Sequence, residues 1–171
     1  KVLGTAFNVR AYPEEKSAEA SLIRGSLEVS FPGRTGRNII LKPNEKVSVG
    51  SRGYYVLGDQ KPSPGNDSIK IKDSKMPVVS SVTYQPTDSS IVETSWVSNR
   101  LVFRNKPFED VAGDMSRWYN VAIEFENSSL KGKRFTGTFE RENVEQALQW
   151  LSFSYRFSYR FDPSRNVYII Y

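Results

Sequence analysis

Two helices are the clearest prediction from the pattern of hydrophobic and polar positions. One helical face is predicted between residues 107 and 119 by apolar side chains at Phe108, Val111, Ala112, Met115, Trp118 and Tyr119. Pro107 suits the first helical position, because an N–H there has no intrahelical partner to lose. A second helix is predicted from Asn143, which can cap it, with Gln146 completing a capping box three residues later. Each helix has one apolar stripe, so each must bury it against another element.

Alternating apolar and polar segments bracket both helices. We predict strands over residues 101–103, 121–125, 135–139, 155–161 and 167–171. The order strand, helix, strand therefore occurs twice, as in a repeated βαβ unit. This pattern predicts a small βαβ-βαβ domain with two helices on one sheet face. The aromatic residues expected in its core or at a domain junction are Phe108, Trp118, Phe125, Phe139 and Trp150.

The first third of the chain shows short strands separated by turn residues. Strands are predicted over residues 22–31, 38–41, 46–49 and 54–57. Turns are predicted at Gly25, at Pro32-Gly33 and at Pro43-Asn44. Residues 1–57 are thus expected to form an all-β meander or sandwich fragment, and the whole chain is assigned to the α+β class.

Residues 58–94 differ in composition from both flanking segments. They are rich in proline and serine, which is typical of a connector. Weak alternation at residues 69–71 and 78–84 could add edge strands. We therefore place a domain boundary inside this stretch and assign residues 95–171 to the second domain.

Two absences restrict the possible chemistry. The chain has neither cysteine nor histidine, which excludes Ser/His/Asp and Cys/His nucleophilic sites and removes the thiolate and imidazole ligands of zinc. Carboxylates cluster near the starts of the predicted helices, at Glu109, Asp110, Asp114, Glu140, Glu142 and Glu145. Acidic residues are favoured there by the helix dipole alone. We predict no catalytic residue, no metal site and no cofactor, and thus no enzyme.

The net charge of +5 does not indicate a nucleic-acid-binding surface. It divides into +4 over residues 1–57, −1 over residues 58–95 and +2 over residues 96–171. Basic residues alternate with acidic ones, whereas a surface that tracks phosphates concentrates lysine and arginine on one face. We therefore predict no nucleic-acid partner.

The candidate partner-binding surface is the last predicted strand. Both of its faces are apolar or aromatic, so it is either buried or contacts a partner. An exposed sheet edge can accept a strand from another protein. The candidate residues are Tyr168, Ile169, Ile170 and Tyr171, together with Arg156 and Arg160 on the polar face of the preceding strand.

Two other binding functions are open at this point. A carbohydrate-binding module would use exposed coplanar aromatic rings on a sheet face. A binder of single-stranded nucleic acid would use Tyr155, Phe157 and Arg160 as a stacking surface.

Two parts of the chain resemble a known family. Residues 4–12 (GTAFNVRAY), 22–29 and 41–47 (LKPNEKV) resemble the second half of the FecR domain, with Arg24 and Asn44 in place of the commoner Glu and Gly. Residues 96–123 resemble the opening of the second domain of such proteins, which is similar to the short βαβ domain of secretins and TonB-dependent transducers. The matching residues there are Trp96, Leu101, Phe103, Asn105, Pro107, Phe108, Trp118, Tyr119 and Asn120.

The resemblance implies the periplasmic part of a FecR-type anti-sigma factor. Its expected partner is the N-terminal signalling domain of an outer-membrane TonB-dependent transducer, whose state is relayed to an extracytoplasmic-function sigma factor. No stretch of this sequence approaches the roughly 18 apolar residues of a membrane helix. The inner-membrane anchor and the cytoplasmic sigma-binding segment are therefore expected upstream of these residues.

Overall fold

The chain divides into two compact units. The computed structural model describes residues 4–15, 17–30, 38–50 and 77–171. The first unit is Lys1–Glu93 and the second is Thr94–Tyr171. The predicted strands at residues 54–57 and 69–71 and the Pro32-Gly33 turn lie outside the described residues. The combination of helices and sheets confirms the α+β class.

The first unit is built on a four-stranded antiparallel sheet. Its strands follow the order β1 (Ala6–Arg10), β2 (Ser17–Arg24), β5 (Glu45–Gly50) and β6 (Val78–Ser81). A separate pair joins β3 (Leu27–Val29) to β4 (Ile39–Leu41). Leu22, Leu41 and Val47 form the buried core of this unit. Strand β2 begins at Ser17, whereas the sequence pattern predicted a strand from residue 22. Strand β6 lies in the proline-rich segment, within the weak alternation noted at residues 78–84.

Two turns in this unit require unusual backbone conformations. Gly25 has φ +93°, and a Cβ at this position would lie 2.6 Å from the Thr5 hydroxyl oxygen, so only glycine fits. Asn44 has φ 68°, in the left-handed region that asparagine tolerates best among residues with a side chain. Its N–H donates to the Leu22 carbonyl at 2.8 Å. The replacement of glycine by Asn44 is thus compatible with the turn.

The second unit contains both α-helices and five strands. In chain order its elements are β7 (Leu101–Pro107), α1 (Phe108–Tyr119), β8 (Ala122–Phe125), β9 (Arg134–Phe139), α2 (Val144–Ser154), β10 (Tyr159–Asp162) and β11 (Val167–Ile170). A 3-10 helix, Val92–Ser98, precedes them, and a second one, Ser128–Leu130, lies between β8 and β9.

The strands of the second unit form two sheets, whereas the strand and helix pattern predicted one sheet. Strands β7 and β9 pair antiparallel as a two-stranded sheet. Strands β10, β11 and β8 form a three-stranded sheet with β11 in the middle. The strand predicted over residues 155–161 is shorter in the structure. Helix α2 continues to Ser154, and the corresponding strand, β10, begins only at Tyr159. Local alternation predicts that a strand forms, but it does not determine which strand it pairs with.

The first helix begins one residue later than predicted. Pro107 has φ −57° and ψ 144°, so it ends β7 in an extended conformation and stands immediately before the first helical residue. The Phe108 N–H donates to the Lys133 carbonyl at 2.7 Å. The buried face of α1 carries Phe108, Val111, Ala112 and Met115, as its spacing predicted. Phe108, Val111 and Met115 pack in one core with α2 and strands of both sheets.

The capping box of α2 is confirmed. The Asn143 side-chain oxygen accepts the Gln146 N–H at 2.9 Å, and the Gln146 side-chain oxygen accepts the Asn143 N–H at 3.0 Å. We expect Asn143→Ala to lower the free energy of unfolding of the second unit by about 1 kcal/mol, because the Gln146 N–H loses the side-chain oxygen that accepts its hydrogen bond. Tryptophan fluorescence during urea unfolding measures this free energy of unfolding, since all three tryptophans lie in the second unit. Gln149→Ala, at an exposed helical position, is the control, and an equal shift in both variants would contradict the capping role.

Of the two roles predicted for Trp150, core or domain junction, the core role is wrong. Its side chain is 61% exposed on the outer face of α2, where it contacts Phe153 edge to face at 5.9 Å between ring centroids. The core face of this helix is occupied instead by Ala147, Leu148 and Leu151. Position 150 lies outside that stripe by about a quarter turn.

Candidate partner-binding site

The last strand does not offer a free edge. Strand β11 pairs antiparallel with β10 on one side and parallel with β8 on the other. Tyr168, Ile169 and Ile170 are all buried. The predicted docking of a partner strand along β11 is therefore wrong, because both of its hydrogen-bonding edges are occupied.

The other three candidate residues are exposed. Tyr171 follows β11, and its backbone N–H and C=O both bond to Ser158 at 3.0 Å. The Arg160 guanidinium lies 5.3 Å from the centroid of the Tyr171 ring and donates to the Glu126 carboxylate. Arg156 is exposed before β10. These residues belong to the surface near β10, and they do not form one site with the buried residues of β11.

The stacking surface proposed for single-stranded nucleic acid is not available. Phe157 is buried, and its ring packs on Phe108 at 5.0 Å between centroids. Tyr155 packs against Phe135 and donates a hydrogen bond to the Arg134 carbonyl. These rings stabilise the core of the second unit, so bases cannot stack on them.

The most exposed aromatic pair does not match the carbohydrate-binding pattern either. The rings of Trp150 and Phe153 are inclined at 76° to each other. A sugar ring stacks on coplanar aromatic faces, so this perpendicular pair lacks the platform that the carbohydrate interpretation requires.

The most buried carboxylate of the second unit is compensated by two cations. Asp114 is 7% exposed, and it accepts hydrogen bonds from Lys106 and from the Arg117 guanidinium, the latter at 2.7 Å. The two ion pairs of Asp114 connect α1 to Lys106 of β7 and leave the carboxylate paired with a cation on each side. Across the described parts of the chain, no three acidic residues approach closely enough to hold a metal ion.

A free sheet edge lies on β8, at the opposite side of the three-stranded sheet from β10. The Ala122 N–H donates to the Asn166 carbonyl at 3.1 Å, and the Glu126 N–H donates to the Ile170 carbonyl at 2.9 Å. In a parallel ladder alternate residues direct their backbone groups to the same neighbour, so Ile123 and Phe125 direct theirs away from β11. Among the described residues no strand pairs with that outer edge.

A groove runs along this edge, between β8 and α1. It is an open groove of about 440 Å³, and its lining residues are Glu109, Ala112, Gly113, Ser116, Ile123, Glu124, Phe125 and Lys131. The α1 wall carries three small residues, while the β8 wall carries two apolar side chains.

Charged side chains stand at one end of the groove. The Lys131 ammonium lies 3.5 Å from the Glu109 carboxylate and 5.8 Å from the centroid of the Phe125 ring. On β8, the Glu124 carboxylate accepts a hydrogen bond from Arg165 at 2.7 Å. The groove is therefore mixed in polarity, with charged side chains beside small and apolar ones.

Sequence reasoning missed this site. The alternation around Ile123 predicted the strand but gave no information about which edge remains unpaired. The only local signal was the run of small residues Ala112, Gly113 and Ser116 on one side of an otherwise large apolar helix face. No helix in the described part of the chain has the length and hydropathy needed to span a bilayer.

Comparison with known proteins supplies the family. Residues 100–169 match the family described as FecR, C-terminal. Two crystal structures of a candidate anti-sigma factor from Parabacteroides distasonis ATCC 8503 share the fold, each with 22% sequence identity and a TM-score of 0.68. In each comparison 99% of this chain aligns with 65% of that chain, and no curated protein matches. The family match thus covers most of the second unit, and residues 100–169 are similar to the C-terminal domain of FecR.

Proposed function

We propose that this chain is the signal-receiving part of a FecR-type anti-sigma factor. The observation that carries the proposal is the FecR C-terminal domain at residues 100–169. The similarity in fold to a candidate anti-sigma factor over nearly the whole chain supports it. In this proposal the chain lies in the periplasm, and segments of the protein beyond this sequence supply the inner-membrane anchor and the contact with the sigma factor.

The proposed partner is the N-terminal signalling domain of an outer-membrane TonB-dependent transducer. Binding of that domain changes the state of the receiver, and the change is relayed to an extracytoplasmic-function sigma factor. The unpaired edge of β8 and the groove beside it support a protein-binding role.

Calorimetry tests this proposal directly. The chain is titrated with the isolated signalling domain of the transducer encoded beside its gene. We expect a dissociation constant of about 1 μM or tighter, which corresponds to about −8 kcal/mol. The signalling domain of a transducer from a different regulatory system is the control and is expected to bind at least about tenfold more weakly, because specificity is a difference of affinities. Absence of binding to the neighbouring transducer would overturn the proposal.

A further inference from the structure

We infer that a basic patch around Tyr155, formed by Lys133, Arg134 and Arg156, binds an acidic surface of the partner, with carboxylate side chains as its ligands. The inference rests on the proposed function for the identity of the partner, and it adds the chemistry of the contact. Arg156 is among the candidate residues that the sequence predicted, whereas Lys133 and Arg134 are not.

The distribution of ion pairs over the second unit points to an anionic ligand at this patch. Lys133, Arg134 and Arg156 form no ion pair with any residue that the structure describes. Exposed cations that gather without a carboxylate of their own chain favour a partner surface of the opposite charge. Most other cations of this unit are already paired with a carboxylate, namely Arg100, Lys106, Arg117, Lys131, Arg160 and Arg165.

Tyr155 holds the basic patch together. The Lys133 ammonium lies 5.5 Å from the centroid of the Tyr155 ring, and the Tyr155 hydroxyl donates to the Arg134 carbonyl at 3.2 Å. Arg156 follows Tyr155 directly in the chain and is exposed. The Tyr155 ring packs on the buried Phe135 ring at 5.1 Å between centroids, so the core of the second unit fixes the position of the patch.

The Arg134 side chain is oriented by a backbone group that does not neutralise its charge. One guanidinium nitrogen donates to the Asn105 carbonyl at 2.5 Å. A guanidinium has several N–H donors in a planar fork, so those left over can form the paired hydrogen bonds that a carboxylate accepts. A side chain that is already held in place also loses less conformational entropy on binding. Arg134 is therefore prepared to bind a carboxylate.

The size of the basic patch favours a protein over the other anionic ligands. Segments that bind anionic lipid surfaces usually carry about four to eight clustered lysines and arginines. Nucleic acid requires a face or stripe of them that follows the phosphates. The patch has fewer cations and includes a partly buried aromatic ring. Arginine and aromatic side chains are enriched in protein interfaces, so an acidic protein surface fits this composition best.

Calorimetry with the intact chain tests the inference. Lys133→Gln with Arg156→Gln removes two exposed charges and keeps the hydrogen bond of Arg134 to Asn105, so the circular dichroism spectrum should not change. We expect the affinity for the transducer signalling domain to fall by about tenfold or more. The affinity of this variant should also depend less on salt than that of the wild type, because salt screens the charges that were removed.

The matched control removes the same charge elsewhere. Arg141→Gln with Arg165→Gln lowers the net charge equally at two exposed positions outside the patch. Arg141 precedes α2 and Tyr155 follows it, so the two are separated by the length of the helix, about 16 Å. We expect a change in affinity of less than about twofold. An equal loss in both double variants would overturn the inference, because net charge would then explain the binding.

Cross-linking identifies the chemistry of the ligand. A carbodiimide joins an amine to a carboxylate where the two are in contact. In the complex it should link the Lys133 amine to an aspartate or glutamate of the signalling domain. Binding of the signalling domain without any link to Lys133 would contradict a carboxylate ligand at the patch.

The outcomes separate the two proposals. Wild-type affinity in Lys133→Gln with Arg156→Gln would overturn the basic patch while leaving the proposed function standing. Vesicles of phosphatidylglycerol that bind the wild type but not this variant, with equal affinity of both for the signalling domain, would overturn it in favour of a lipid ligand. Absence of binding between the wild-type chain and the signalling domain would overturn the proposed function, and the inference would fall with it.

Discussion

Phe108→Ala is expected to lower the free energy of unfolding of the second unit by about 3–5 kcal/mol. Phe108 is completely buried at the start of α1. Its ring lies 5.0 Å from the Phe125 ring, 4.8 Å from the Phe135 ring and 5.0 Å from the Phe157 ring, measured between centroids. Truncation removes the apolar area of the ring and leaves a cavity among three other aromatic side chains. Because these side chains come from different elements, little collapse is possible.

Tryptophan fluorescence during urea unfolding measures this loss. All three tryptophans belong to the second unit, so the signal is specific to it. Phe153→Ala makes the same chemical change at a side chain that is 69% exposed. It is expected to cost about 1 kcal/mol or less, the range of exposed substitutions with one aromatic contact. Similar losses in both variants would show that Phe108 does not occupy the core described above.

Lys46→Met is expected to destabilise the first unit by about 3 kcal/mol at neutral pH. The Lys46 ammonium lies 2.7 Å from the Glu93 carboxylate and 3.3 Å from the Glu19 carboxylate, and all three side chains are largely buried. Glu93 also accepts the Thr83 N–H at 3.0 Å. Removing the Lys46 ammonium would leave the Glu19 and Glu93 carboxylates without the cation that lies between them among the described residues, which costs more than the loss of one hydrogen bond.

The readout for the first unit is the unfolding transition that far-UV circular dichroism detects and tryptophan fluorescence does not. Lys42→Met removes an exposed lysine from the same hairpin and should change that transition little. In the double variant Lys46→Met with Glu93→Gln, part of the lost stability should return, because one of the unpaired charges is removed. A double variant that is less stable than Lys46→Met would contradict the ion-pair explanation.

The same cluster predicts a pH dependence. Burial alone lowers the pKa of Lys46, but the two carboxylates, Glu19 and Glu93, outweigh it and raise this pKa above its ordinary value of 10.5. A pKa that is higher in the folded state contributes stability below the unfolded value and loses it as the pH rises through the folded value. The first unit should therefore lose stability above pH 10.5. Lys46→Met should show a smaller alkaline loss, and an unchanged loss would contradict the assignment.

Several local features of this fold follow from sequence alone. The buried face of α1 is predicted by the spacing of Phe108, Val111 and Met115, because a helical face repeats every three to four residues whatever surrounds it. The capping box of Asn143 with Gln146 is equally local, since its atoms are separated by one turn. The FecR resemblance stated from short motifs agrees with the family match over residues 100–169.

The candidate site needed the tertiary structure. The apolar pattern of the last strand correctly indicated either burial or a partner, and only the sheet order showed burial between β10 and β8. Trp150 illustrates the same limit, since its hydrophobicity suggested the core or a domain junction, and only the structure showed that it lies outside the core.

The sequence by itself determined where the helices and most strands form, how α2 is capped and which family the second unit resembles. The tertiary structure alone decided that β11 is central, that no strand of the described residues pairs with the outer edge of β8, and that a groove opens beside Gly113. The physical reason is the range of the interactions. Helix periods and caps depend on residues within a turn or two, whereas strand pairing depends on hydrogen bonds between segments that are far apart in the chain and on which arrangement buries the most apolar surface.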